Sequence, residues 1–140
     1  MNRLVPNVLA AAAALCATTA MAQTTLRDGL LRDNAGRTLY TFDKDAAGES
    51  RCFDGCAVAW PPFMAADGAA AKGRLSLVAR KGGGMQWALD GKPLYYFAGD
   101  AKPGDVTGDG SGGVWHVVRS AAQAVSRAAA VQPQAAPYKY

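Results

Sequence analysis

The stretch Leu39-Tyr40-Thr41-Phe42-Asp43-Lys44-Asp45 returns as Leu94-Tyr95-Tyr96-Phe97-Ala98-Gly99-Asp100, 55 residues further on. The shared pattern Leu-Tyr-x-Phe-x-x-Asp extends backwards, because Gly36-Arg37-Thr38 lies over Gly91-Lys92-Pro93. Self-similarity at a fixed offset marks a structural unit used more than once. The chain is therefore expected to build two related halves.

Each unit follows a turn signal, Asp33-Asn34-Ala35-Gly36 in the first and Asp90-Gly91 in the second, and Asp-Gly between apolar runs is a strong hairpin signal. Each repeat thus reads as the second arm of a hairpin. The side-chain period of 2 puts Tyr40 with Phe42, and Tyr95 with Phe97, on one face of the strand. Leu39 with Thr41, and Leu94 with Tyr96, take the other. Asp45 and Asp100 fall in the turns that end the strands, where a carboxylate accepts backbone N–H bonds and can take the hydroxyl of a repeat tyrosine.

Further strands are expected over Thr25 to Leu31, Leu75 to Arg80, Met85 to Leu89 and Val114 to Arg119, separated by Gly-rich turns. The best short helix is Cys56 to Trp60. Pro61 and Pro62 stop it, since neither can donate to a helix and the residue before each is pushed out of helical geometry. The expected fold is all-β, a small antiparallel sandwich or meander of two related hairpin-containing halves, with a short helical turn after the Cys pair.

The first 22 residues have the parts of a secretory signal: Arg3, an apolar run from Leu4, and the Ala20-Met21-Ala22 cleavage site. The run is too short to span a bilayer. Cys16 raises lipid attachment as a rival, but a lipidated cysteine normally follows a small residue and here follows Leu15. The expected organisation is a signal peptide over 1–22, a single β domain over 23–119, and a disordered Ala/Pro/Gln-rich tail over 120–140. The net charge of +4 is carried by basic residues scattered along the chain, which argues against a nucleic-acid patch.

After cleavage the remaining thiols are Cys52 and Cys56, separated by Phe53-Asp54-Gly55. In an oxidising compartment an even pair reads first as a disulfide, and a turn at Asp54-Gly55 brings the Cα atoms into range. A copper or zinc site formed with His116, the sole histidine, and a thiol-exchange role remain open alternatives. The plainer reading of His116 is a polar-face residue of a strand. Asp100, Asp105 and Asp109 share a glycine-rich loop that could suit a hard cation such as calcium, although the spacing is not that of an EF-hand and no Glu closes it. Otherwise they are turn formers. With one histidine, no G-x-S-x-G and no H-E-x-x-H, the chain spells no familiar hydrolase, and no cofactor is called for beyond the possible metal.

The doubled Tyr-x-Phe-x-x-Asp, Cys52 to Phe63, Gly91 to Asp105 and Gly113 to Val118 together resemble the bacterial family of secreted repeats, often called predicted lipoproteins with a Yx(F/W/Y)xxD motif. The likeness covers residues 25 to 119. It implies an extracytoplasmic protein and says little about activity. It carries over Tyr40, Phe42 and Asp45, Tyr95, Phe97 and Asp100, Cys52 and Cys56, and Trp60 with Pro61 and Pro62. The functional expectation is a non-catalytic periplasmic or secreted domain. It would bind a protein partner or small ligand through an exposed aromatic face and the Gly/Asp loop. The alternative is a redox or metal-handling protein centred on Cys52, Cys56 and His116.

Overall fold

The computed structural model describes residues 23–121, so the expected signal peptide, Cys16 and nearly all of the expected tail lie outside the described residues. The element order is β1 (Thr24–Arg27), β2 (Leu30–Asp33), β3 (Tyr40–Phe42), α1 (Gly55–Ala59), β4 (Leu75–Ala79), β5 (Met85–Leu89), β6 (Lys92–Pro93) and β7 (Trp115–Val117), with a 3-10 turn at Ser111–Gly113. All strand pairs are antiparallel. The fold is mostly short strands with one helical turn, as the sequence leads one to expect.

One expectation is corrected. Thr25 to Leu31 is not a single strand, because Asp28-Gly29 folds it back on itself and pairs Arg27 with Leu30. Both turn residues have positive φ, 50° and 73°, the geometry that two-residue hairpin loops demand and that Asp-Gly supplies. Asp90-Gly91 repeats the device with φ of 50° and 78° between Leu89 and Lys92.

The halves are not independent. In the first, Leu39 N donates to Leu31 O (3.0 Å), Leu31 N to Val118 O (2.8 Å) and Val118 N to Leu39 O (3.0 Å), which closes a ring of three strands. In the second, Leu94 N donates to Trp87 O, Trp87 N to Phe63 O and Phe63 N to Leu94 O, all at 2.9 Å. Phe63 and Val118 are 55 residues apart and hold equivalent places. The strand that ends the first sequence repeat therefore completes the second ring, and the strand that ends the second repeat completes the first. The rings join where Tyr40 and Tyr95 exchange backbone hydrogen bonds at 2.9 and 3.0 Å.

Alternation along the two Leu-Tyr strands feeds a separate core on each face. Leu39, Leu94, Leu31, Phe63 and Trp87 pack together on one side. Tyr40, Tyr95, Trp60, Trp115, Cys52, Leu30 and Val117 pack on the other. Both strands are thus buried on both faces, and Leu39, Tyr40, Leu94 and Tyr95 have no exposed surface.

Candidate functional site

The repeat motif builds the junction between the halves. Phe42 stacks on Trp115 (centroids 4.2 Å apart), Trp115 stacks on Trp60 (3.9 Å), and Phe97 packs against Trp60 at a tilt of 32° (4.4 Å). Tyr40 meets Trp60 edge-on, and Tyr95 meets Trp115 in the same way. Trp60 and Trp115 are themselves 55 residues apart, so the four-ring stack is symmetric about its middle. Such offset and edge contacts add to the area the rings bury. The expected exposed aromatic face is therefore corrected: both tyrosines and both tryptophans are buried, and the phenylalanines are half-buried. A Cβ on Gly108 would come within 2.6 Å of the Trp60 ring, so only glycine lets that loop close over the stack.

The tyrosines and aspartates also pair across the halves. Tyr40 donates its hydroxyl to Asp100 (2.7 Å) and Tyr95 donates to Asp45 (2.8 Å). Each carboxylate then fixes the loop that follows it. Asp45 accepts the Arg51 amide, and Asp100 accepts the Thr107 amide and hydroxyl. Burial foremost, with the accepting carboxylates, pushes both tyrosine pKa values far above that of a free phenol, which keeps the hydroxyls protonated donors. Burial also pushes Asp45 up, incompletely offset by the Arg51 amide, the Tyr95 hydroxyl and the charges of Arg80 and Arg51.

Cys52 and Cys56 form a disulfide with Cα atoms 5.2 Å apart, and Asp54 takes φ of 50° in the turn between them. The bridge fixes the start of α1, whose end delivers Trp60 to the stack and passes into Pro61 and Pro62. Beside it, Arg80 donates to Ser50, to the Gln86 side chain and to the Cys52 carbonyl, which ties β4 and β5 to the disulfide loop.

The proposed metal ligands are not brought together. Among the described residues no group of three or more His, Cys, Asp or Glu side chains is placed to hold a metal ion. Cys52 and Cys56 are bonded to each other, while His116 Nε2 lies 2.7 Å from Asp43 at a half-exposed edge. The three loop aspartates serve different parts of the fold. Asp100 holds Tyr40 and Thr107, Asp105 accepts the amides of Ala101 and Lys102, and Asp109 accepts Val117 N and Arg119.

Two clefts flank the junction, and they occupy equivalent places in the two halves. The larger, about 440 Å³, is lined by Arg37 and Thr38 of the first repeat, by Pro61, and by Tyr96, Phe97 and Lys102 of the second, among others. The smaller, about 210 Å³, is lined by Lys92, Thr41, Phe42, Asp43, Asp45 and Asp90 and neighbouring alanines. At the 55-residue offset, Lys92 answers to Arg37, Thr41 to Tyr96, Phe42 to Phe97 and Asp45 to Asp100. The larger cleft carries two cations and one carboxylate, Asp100, whereas the smaller carries one cation and three carboxylates.

Arg37 is held rigidly at the larger cleft. Its Nε donates to Asp33 Oδ2 (2.9 Å), its Nη2 donates to the Tyr96 hydroxyl (2.8 Å), and its guanidinium lies 3.8 Å over the Tyr96 ring centroid. Asp33 is buried behind it and also accepts the amides of Ala35 and Arg37 and the Tyr96 hydroxyl. Burial alone would raise the Asp33 pKa, but these donors and the Arg37 charge hold it below the usual carboxylate value. The repeat pattern does not mark Arg37, Thr38, Tyr96 or Lys102 as site residues. The signal available was the mismatch between repeats at non-motif positions: Thr41 against Tyr96, and Ala47 against Lys102.

A family model described as a secreted repeat of unknown function matches residues 24–64 and 76–119, in two stretches. The chain belongs to this family. Each matched stretch of this secreted repeat ends in the strand that completes the other half's ring, so the sequence unit and the hydrogen-bonded unit differ. No curated protein and no solved structure matches the chain. Among the described residues no helix is long and apolar enough to cross a membrane.

Proposed function

We propose that this secreted repeat is a non-catalytic periplasmic or extracellular domain, spanning residues 23–119 behind a cleaved signal peptide, and that it binds a small molecule in the cleft between Arg37 and Tyr96. The observation that carries this reading is the cleft itself. It has the size of a small-ligand site and an apolar lining from Pro61, Phe97 and Pro103, with a few fixed polar groups at its edge. The repeat motif supports it indirectly, because its tyrosine and aspartate groups are committed to bonds between the halves. Those bonds build a rigid frame, which lowers the ordering cost of binding.

Amide chemical-shift mapping with a library of small fragments tests the reading. Shifts should concentrate in residues 35–38 and 96–102. Fragments that gather elsewhere, or none that bind, would remove the cleft as the functional site.

A further inference from the structure

We infer that the larger cleft selects a small amphipathic carboxylate, with its apolar body against Pro61, Phe97 and Pro103 and its anionic group between Arg37 and Lys102. This deepens the binding reading above and rests on it.

Two independent observations meet here. Arg37 has a fixed orientation, and its bonds to Asp33 and Tyr96 use Nε and Nη2, leaving Nη1 outside that network. A guanidinium placed in advance loses little entropy on meeting a carboxylate. Lys102 also lines the cleft, 79 % exposed, with only a loose 3.6 Å approach to Asp105, so its ammonium can swing to a ligand.

The opposing charges do not cancel this arrangement. Asp33 sits behind Arg37 and does not line the cleft, and Asp105 does not line it either. Asp100 does, but both its oxygens are engaged, by Tyr40 on one and by Thr107 on the other. The equivalent cleft in the other half provides an internal control. Asp43, Asp45 and Asp90 line it with Lys92, and an anion there would meet like charge.

Matched acid and amide probes test the inference on the whole protein: hexanoate against hexanamide and cinnamate against cinnamamide, followed by amide shifts. Each acid should move the amides of Arg37, Thr38 and Lys102 and bind about fivefold or more tighter than its amide, since a hydrogen bond to an ionised group is the stronger one. Lys102→Gln, at an exposed position, should shrink that ratio without changing the melting temperature. Equal affinity of acid and amide at these residues would overturn the anion while leaving the cleft as a binding site. Acid-induced shifts centred on Thr41, Asp43 and Lys92 would overturn the inference, as would no binding of either acid. A fragment map that avoids this cleft altogether would instead sink the binding reading on which it rests.

Discussion

The clefts beside Tyr96 and beside Thr41 are built from the same seven-residue pattern, and each is lined by the phenylalanine at one end of the same row of rings. They differ only where the pattern leaves a position open. Tyr96 replaces Thr41 and gives Arg37 a ring to lie on, while Ala98 stands where Asp43 pairs with His116. Ala47 similarly stands where the other cleft has Lys102. The lesson is that the motif specifies the frame. The residues between its fixed positions decide what each face of the frame can meet, because they alone are not required for the junction.

The sharpest way to break the comparison is to separate the halves. A chain of residues 23–66 lacks β7, so its ring cannot close, and Leu31 N and Leu39 O lose their partners on Val118. Unpaired backbone groups of this kind are costly when buried. The fragment should show no cooperative melting, and mixing it with residues 67–121 should restore one transition. If residues 23–66 melt cooperatively alone, the exchanged strand is not essential.

A smaller effect separates the two tyrosine hydroxyls. Tyr95→Phe removes a donor from Asp45, which then keeps only the Arg51 amide among its bonds, and it also removes the Tyr95–Ser50 bond, leaving Ser50 with Arg80 and the Cys52 amide. Tyr40→Phe leaves Asp100 with both Thr107 donors. Urea unfolding should give about 2–3 kcal/mol for Tyr95→Phe and about 1–2 kcal/mol for Tyr40→Phe, the range for hydrogen bonds to charged groups and for groups left unpaired. Equal costs would mean that the halves share their load evenly, and the reverse order would mean that Tyr40 carries the larger share.

The smallest expected difference lies in pH dependence. Asp33 binds its proton more weakly in the folded chain, so its contribution is fully present above the unfolded carboxylate pKa and is lost as pH falls through the lower folded value. Asp45 has the opposite sign. Its raised pKa means that the ionised form costs stability at neutral pH, a cost relieved as pH falls through that folded value. Asp33→Asn should therefore lower the melting temperature at pH 7 more than Asp45→Asn does, and the gap should narrow on acidification below pH 4, about the free carboxylate pKa. A gap that stays constant down to acid pH would show that shape, not charge, distinguishes the two sites.

Much of the frame could be read from the residues. Turn chemistry at Asp90-Gly91, the strand at Met85–Leu89 and the short helix ahead of Pro61 appear where local geometry demands them. The tyrosine and aspartate of each repeat were readable as donor and acceptor. The same Asp-Gly signal was present at Asp28-Gly29, but the apolar residues on both sides disguised a hairpin as one strand. The cleft left little trace, since Arg37, Thr38, Tyr96 and Lys102 come from both repeats and carry no spacing of their own.

The residues alone set the local features: two hairpin arms, which side chains share a strand face, and a cysteine pair close enough to bridge. These follow from φ preferences and from the period of a strand, which act over a few residues. Long-range packing selected Val118 to close the ring of Leu31 and Leu39 and Phe63 to close the ring of Trp87 and Leu94. It also decided that each tyrosine finds the other repeat's aspartate. Backbone hydrogen bonds are blind to residue type, and two copies of one motif offer the same partners within a half as between halves. The choice was made by burial, because exchanging the final strands brings Trp60 onto Trp115 and closes both faces of the Leu-Tyr strands at once.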